Sequence, residues 1–187
     1  MYFDKESLFP FGHGLTYTEF KYSDLKINAD SFNPSEVIDV EFEIENIGER
    51  DSDEVPQVYV RCLNSKVKRP KLQLKGFKRV FIPKGEKAKV NITIPVSELF
   101  IWDVRKGKYL IERGDYEILV GASSQDIRLR KKIFINGEEI ENRNPYEKNI
   151  AFNFDDCNGV FFDTKRDFES TYVIFSGDDS WLLFKDL

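Results

Sequence analysis

From Ile38 to Glu45 the chain reads Ile-Asp-Val-Glu-Phe-Glu-Ile-Glu, with apolar and acidic residues alternating without an error. A period of two sends successive side chains to opposite faces of an extended strand. Ile38, Val40, Phe42 and Ile44 are therefore expected to face a core, and the carboxylates water. The same period recurs in Ala88, Val90, Ile92 and Ile94, and in Tyr116, Ile118 and Val120. It returns in Ile127, Leu129, Ile133 and Ile135, where Lys131 interrupts the apolar face. Residues 55–63 and 72–82 complete a set of short strands. Asn46-Ile47-Gly48, Pro83-Lys84-Gly85, Arg113-Gly114-Asp115 and Asn136-Gly137 read as the turns between them. The best helical candidate, residues 95–99, can supply one turn at most.

Many short antiparallel strands with frequent turns predict an all-β fold, a two-sheet sandwich of fibronectin III or immunoglobulin type. The Cys…Trp…Cys spacing of true immunoglobulin domains is missing. A polar run with Asn144-Pro145 follows, and three more strand-like runs lie beyond residue 150. The expected organisation is a sandwich over residues 21–137, a linker over 138–149 and an incomplete β-rich module over 150–187. Charge marks the same break. The net charge is −5, and from Glu141 onward acidic residues outnumber basic ones ten to five, which leaves the rest of the chain neutral.

At 187 residues, 41% hydrophobic and 33% charged, the composition is that of a soluble folded protein. No concentrated basic face points to nucleic acid. The one basic cluster, Lys66 to Lys71, lies between strands and reads as a solvated loop. No apolar run approaches the ~20 residues that span a bilayer, so no membrane partner is expected. The charged residues Asp4, Lys5 and Glu6 stand where a signal peptide would need its apolar stretch. That leaves the compartment unassigned if the chain is a fragment.

Candidate chemistry is sparse. His13 is the single histidine, and neither a GxSxG elbow nor a flanked cysteine accompanies it, so it reads as a loop-packing residue. One histidine with the distant Cys62 and Cys157 is too few ligands for zinc, and no metal or other cofactor is expected. Gly12 and Gly14 lack the strand–GxGxxG–helix context of a phosphate cradle. Asn91-Ile92-Thr93 matches a glycosylation acceptor, but inside a strand. Glycoside hydrolysis needs two carboxylates roughly 5 to 9 Å apart, and the sequence singles out no such pair. The acidic strand residues read as a solvated face.

Two stretches carry a resemblance to the C-terminal part of family 3 glycoside hydrolases. Leu8-Phe9-Pro10-Phe11-Gly12-His13-Gly14-Leu15-Thr16-Tyr17 is similar to the family's "PFG-x-GLSYT" signature. There the chain leaves the α/β domain for the fibronectin III-like one, and both glycines are expected in a turn too crowded for a Cβ. The second stretch comprises Glu54 to Val60, Arg69 to Val80 and Gly114 to Ile127. These resemble the "EV-x-QLYV", "RP-x-K-x-LKGF-x-RV" and "G-x-Y-x-V-x-VG-x-SS-x-DIR" blocks. Asp51-Ser52-Asp53 departs from the pattern, where a glycine is usual. Residues 1–20 are then an arm, the end of an α/β domain, and Phe9, Phe11, Gly12, Gly14, Leu15 and Tyr17 are expected to pack between domains.

The resemblance implies a β-glucosidase-like parent with a retaining mechanism, its Asp nucleophile on a barrel and its acid/base on the α/β domain. Only six residues precede Ser7, so this chain is expected to carry no catalytic residue and to be no enzyme by itself. Its implied partners are those barrel and α/β domains. The tail has a resemblance of its own: Ala151 to Val160 and Tyr172 to Lys185 look like the opening of a family 6 carbohydrate-binding module. Phe152 stands in place of that module's usual Glu, so its structural metal site is not carried over. A truncated module and an unrelated β-rich extension both stay open. The leading reading is a non-catalytic accessory domain. The alternative is a stand-alone carbohydrate-binding or interaction module, with Tyr172 and Trp181 stacking on β-glucan-type saccharides.

Overall fold

The computed structural model describes residues 8–67, 69–103, 106–140, 154, 156–164 and 171–184. Alternation decides the first sheet. β3 (Val37–Asn46) is flanked by β1 (Phe20–Ile27) and β8 (Lys87–Pro95), both antiparallel to it. Ile38, Val40, Phe42 and Ile44 are each fully buried. Opposite them, Val90, Ile92 and Ile94 of β8 point the same way. β1 is interrupted by a bulge between Ser23 and Lys26, where Asp24 takes a left-handed φ of 56°.

The second sheet runs β2-β12-β11-β5-β6, with β2 (Ser31–Phe32), β5 (Gln57–Cys62), β6 (Gln73–Phe77), β11 (Gly114–Gly121) and β12 (Ile127–Ile135). All its pairings are antiparallel except β2 with β12. Tyr116, Ile118, Val120, Val58 and Val60 face Phe42, Ile44 and their neighbours in one cluster of buried side chains. Phe, Ile and Val at these positions supply the apolar area that drives the two sheets together. A short pair, β4 (Ser52–Glu54) with β7 (Val80–Ile82), closes one end.

Several elements differ from the sequence expectation. Residues 55–63 are not one strand. Ser52–Glu54 already pairs with Val80–Ile82, so the Asp51-Ser52-Asp53 departure is absorbed as an edge strand, and Pro56, with no N–H to donate, separates β4 from β5. Gly114 opens β11 rather than forming a turn. Lys131 is accommodated at the margin of its face, where its Nζ lies 3.0 Å from Asp30 Oδ1. The single turn at 95–99 is a 3-10 turn, Val96–Leu99, with Val96 and Leu99 buried.

The chain divides into two compact units, Met1–Ile101 with Ile111–Glu139, and Trp102–Leu110 with Ile140–Leu187. The second unit takes in most of a hairpin of β9 (Ile101–Asp103) and β10 (Lys108–Leu110), where the Trp102 and Tyr109 rings meet edge to face at 5.0 Å. Its other strands form two pairs, β13 (Asp156–Asn158) with β16 (Trp181–Leu183) and β14 (Val160–Thr164) with β15 (Thr171–Phe175). Ser176 Oγ donates to Gly159 O (2.8 Å), and Asn158 Nδ2 donates to Asp179 O (3.2 Å). The expected linker lies outside the described residues from residue 141 onward, as does Phe152.

Candidate functional site

Three of the stretches that carry the resemblance meet at one end of the sandwich: the arm at Phe11-Gly12, the start of β5 at Gln57 and Tyr59, and the loop after β11. Gln57 is buried, and its amide lies between backbones. Nε2 donates to Gly12 O (3.2 Å) and to Ala122 O (2.7 Å), while Oε1 accepts from the Tyr59 hydroxyl. The same hydroxyl lies 3.4 Å from Phe11 O, which accepts from the Ser124 amide at 2.9 Å. The loop is itself braced, because Ser123 Oγ accepts from the Gln125 and Asp126 amides (3.4 and 3.0 Å).

Gly12 is the one arm glycine that the geometry requires. Its φ is +77°, and a Cβ there would sit inside the Gln57 amide. Gly14 differs from expectation, because nothing lies within 4 Å of the Cβ it lacks. The arm residues Phe9, Phe11, Leu15 and Tyr17 are exposed at 66%, 65%, 93% and 93%. His13, also exposed, stacks on Phe9 with ring centroids 5.6 Å apart.

A groove of about 470 Å³ is lined by Leu15, Thr16 and Thr18 of the arm together with Asp53, Glu54 and Arg128. Arg128 is held on several sides. Nε and Nη2 bond the two Asp126 oxygens (3.2 and 2.8 Å), Nη1 donates to Phe20 O (2.6 Å), and the guanidinium lies 4.8 Å from the Tyr22 ring centroid. Arg128 holds the Asp126 carboxyl below its usual range, chiefly through these hydrogen bonds. Tyr22 OH donates to Glu54 Oε1 (3.1 Å), and burial, with the Glu54 charge, pushes the phenol well above its ordinary value.

Burial also raises the Glu54 carboxyl, against the Tyr22 bond that lowers it. A carboxylate whose folded pKa is raised binds its proton more tightly when folded. It therefore favours folding at acid pH and loses that contribution as pH rises through the folded value. Glu54→Gln keeps the acceptor for Tyr22 and removes the charge. It is expected to raise Tm by about 2–4 °C near pH 7, with the advantage shrinking toward pH 4. Thermal melts across that range check it.

A second polar cluster reaches into the stretch that the sequence reads as a solvated loop. Glu112 is buried (3% exposed). Its Oε2 accepts from Ser65 Oγ (2.6 Å) and pairs with Arg69 Nη1 (3.3 Å), while Oε1 accepts from the Lys66 amide (2.8 Å). Arg69 also lies over the Tyr116 ring at 5.5 Å, and its Nη2 donates to Leu99 O (3.4 Å). Burial pushes the Tyr116 phenol up to about 12 and raises the neighbouring Cys62 thiol, whose second cause is the Glu112 charge. The solvated-loop reading of residues 66–71 is thus corrected at Arg69. The solvated-face reading of the strand acids is corrected at Glu117, which is buried and paired with Arg61 at 2.6 Å, while Glu54 and Glu112, outside the expected strands, are buried too. Each partner comes from a distant strand or loop, which no local pattern shows. The only sequence signal was the Arg69-Pro70 of the family-like block.

Of the residues expected to bind saccharide, Trp181 lies on β16, 44% exposed. Tyr172 lies on β15, and its side chain falls outside the described residues. Among the described residues, no group of three or more His, Cys, Asp or Glu side chains could hold a metal ion, and both cysteines are free.

The fibronectin type III-like domain family matches residues 54–124. Thermostable β-glucosidase B of Acetivibrio thermocellus is 37% identical over 131 residues, which is 70% of this chain and 17% of that protein. The β-glucosidase of Kluyveromyces marxianus is 42% identical over 123 residues, 64% of this chain and 14% of its own length. The chain thus spans less than a fifth of the length of these two curated relatives. Among solved structures, β-glucosidase 3B of Thermotoga neapolitana superposes with a TM-score of 0.62 at 37% identity, covering 69% of this chain and 17% of that one. A family 3 β-glucosidase of Bifidobacterium adolescentis gives 0.67 at 28% identity, covering 78% and 21%. The sandwich thus matches the fibronectin type III-like domain family over residues 54–124, and it is similar to the non-catalytic part of these β-glucosidases.

Proposed function

We propose that the sandwich buttresses the catalytic domains of a β-glucosidase-type glycoside hydrolase, with the N-terminal arm as its contact surface. The observation that carries this reading is the arm itself: five large apolar side chains, Leu8, Phe9, Phe11, Leu15 and Tyr17, stand exposed on a segment whose backbone is hydrogen-bonded to the sandwich. Exposed apolar strips on an ordered backbone suit a partner surface. In this reading a barrel and an α/β domain supply the nucleophile and the acid/base carboxylate of a retaining hydrolysis. This chain supplies support and no catalytic residue.

The test is a chimera in which the matching stretch of a β-glucosidase relative is replaced by residues 8–187, so that both units stay whole. The purified chain alone is expected to turn over neither aryl β-glucosides nor cellobiose, while the chimera does. Changing Phe9, Leu15 and Tyr17 together to Ser in the chimera is expected to lower kcat/KM by roughly tenfold or to bring its unfolding temperature down with it. A triple variant indistinguishable from the parent chimera would sink the reading. So would turnover by the isolated chain that a point mutation in it abolishes.

One observation favours a second reading for the C-terminal unit. Trp181 presents an exposed indole on β16, as a stacking platform for a β-glucan-type saccharide would require. A family 6-like carbohydrate-binding module would use it with Tyr172. Titration with soluble β-glucan, following Trp fluorescence, tests this against Trp181→Ala. Equal responses from the two proteins would remove Trp181 from any such site.

A further inference from the structure

The arm is tied down by side chains to which the accessory-domain reading assigns no individual role. We propose that Gln57 and Tyr59 form a clasp that fixes the direction in which the arm leaves the sandwich, so that Phe9, Leu15 and Tyr17 are presented as a preformed surface. What the clasp is for rests on the proposed function; that it holds the arm does not.

Gln57 uses both amide hydrogens on backbone carbonyls of two different segments, Gly12 in the arm and Ala122 in the loop after β11. A primary amide is suited to this, because its two donors diverge and its oxygen is left to take the Tyr59 hydroxyl. That hydroxyl, its one proton given to Gln57 Oε1, orients the amide, and the Phe11 carbonyl 3.4 Å from it accepts from the Ser124 amide at 2.9 Å. The arm is thus held at two successive carbonyls, those of Phe11 and Gly12. Two successive attachments fix orientation as well as position, because one bond alone would leave rotation free.

Both clasp side chains are buried, Tyr59 at 2% and Gln57 at 6% exposure, so water competes poorly for these bonds. Neither belongs to the cluster of apolar side chains between the two sheets. Their loss is therefore expected to free the arm without melting the core. The Gly12 conformation completes the fit, because the arm approaches closely enough that any side chain there would displace the Gln57 amide. Holding an interface segment in its bound geometry lowers the ordering cost of association.

The experiment is amide hydrogen exchange on the full chain, comparing it with Tyr59→Phe, which removes one hydroxyl, and with Gln57→Leu. The Ser124 amide is expected to exchange roughly tenfold faster in Tyr59→Phe and faster still in Gln57→Leu. Amides of β3 should keep their protection. Unchanged Ser124 exchange in both variants would overturn the proposal. So would an equal loss across β3, since Gln57 and Tyr59 would then be ordinary structural residues. The same substitutions in the chimera address purpose: kcat/KM should fall by about the factor seen for the arm triple variant, while the β3 amides stay protected. A chimera inactive even with Gln57 and Tyr59 intact counts against the accessory-domain reading alone, and exchange still decides the clasp. An active chimera whose activity ignores both variants overturns the orienting role.

Discussion

Glu112→Ala is expected to destabilise the sandwich by about 3–5 kcal/mol, a loss large enough to abolish a cooperative transition at 37 °C in a marginal domain. Three groups lose their acceptor at once: the Arg69 guanidinium, the Ser65 hydroxyl and the Lys66 amide. Arg69 is the decisive one, because its side chain is only 9% exposed and would remain charged in an apolar setting. Glu112→Gln separates charge from hydrogen bonding. It keeps an acceptor for the amide or the hydroxyl yet leaves the guanidinium unneutralised, so it should fall between the parent and alanine. Arg69→Met with Glu112→Leu is expected to recover part of the loss, since two apolar side chains replace a pair that was costly to desolvate. Urea unfolding of the four proteins checks the order. An alanine variant within 1 kcal/mol of the parent would show that the pair contributes little.

Asn46→Leu is expected to cost about 2–4 kcal/mol, and for a reason that has nothing to do with charge. Asn46 is fully buried at the end of β3, and its side chain is saturated. Nδ2 donates to Arg50 O (2.7 Å) and Ile82 O (2.9 Å), while Oδ1 accepts from Thr18 Oγ1 (2.7 Å) and the Gly48 amide (3.2 Å). Leucine, with the same branching but no polar atom, leaves all four groups without a partner. Asn46→Asp should be worse, since neither carbonyl can then be satisfied and a carboxylate is buried beside them. Chemical denaturation with matched m-values tests this. Equal stability of Leu and Asn at this position would mean that water replaces the lost bonds.

These two residues mark what sequence could and could not show. The strict alternation of residues 38–45 forecast a strand buried on one face, and the four apolar side chains are at zero exposure. The sequence reads Asn46 as a turn residue, whereas it is the last residue of β3, paired with Phe20, and the turn begins beyond it. Its role as a hub depends on Thr18, Arg50 and Ile82, which only the fold brings together. β11 was legible on one face through Tyr116, Ile118 and Val120. Glu117 and Leu119 on the other face are buried too, because β11 is central in its sheet. An acid at an outward position looks solvated until a basic partner arrives from a distant strand, as Arg61 does for Glu117. The arm was legible through its family-like motif, which singled out Gly12, whereas the motif alone could not separate Gly12 from the unconstrained Gly14.

The division of the chain into two units has a consequence for how it can be re-engineered. The second unit is discontinuous: residues 102–110 belong to it, yet they are encoded in the middle of the sandwich. A module that is transferred between genes as a cassette must be contiguous. This one is not, since cutting after Glu139 leaves the Trp102–Tyr109 pair behind without the strands of its own unit. Swapping the tail for that of another protein therefore means redesigning the 102–110 hairpin as well, and sequence drift in either stretch is constrained by the other.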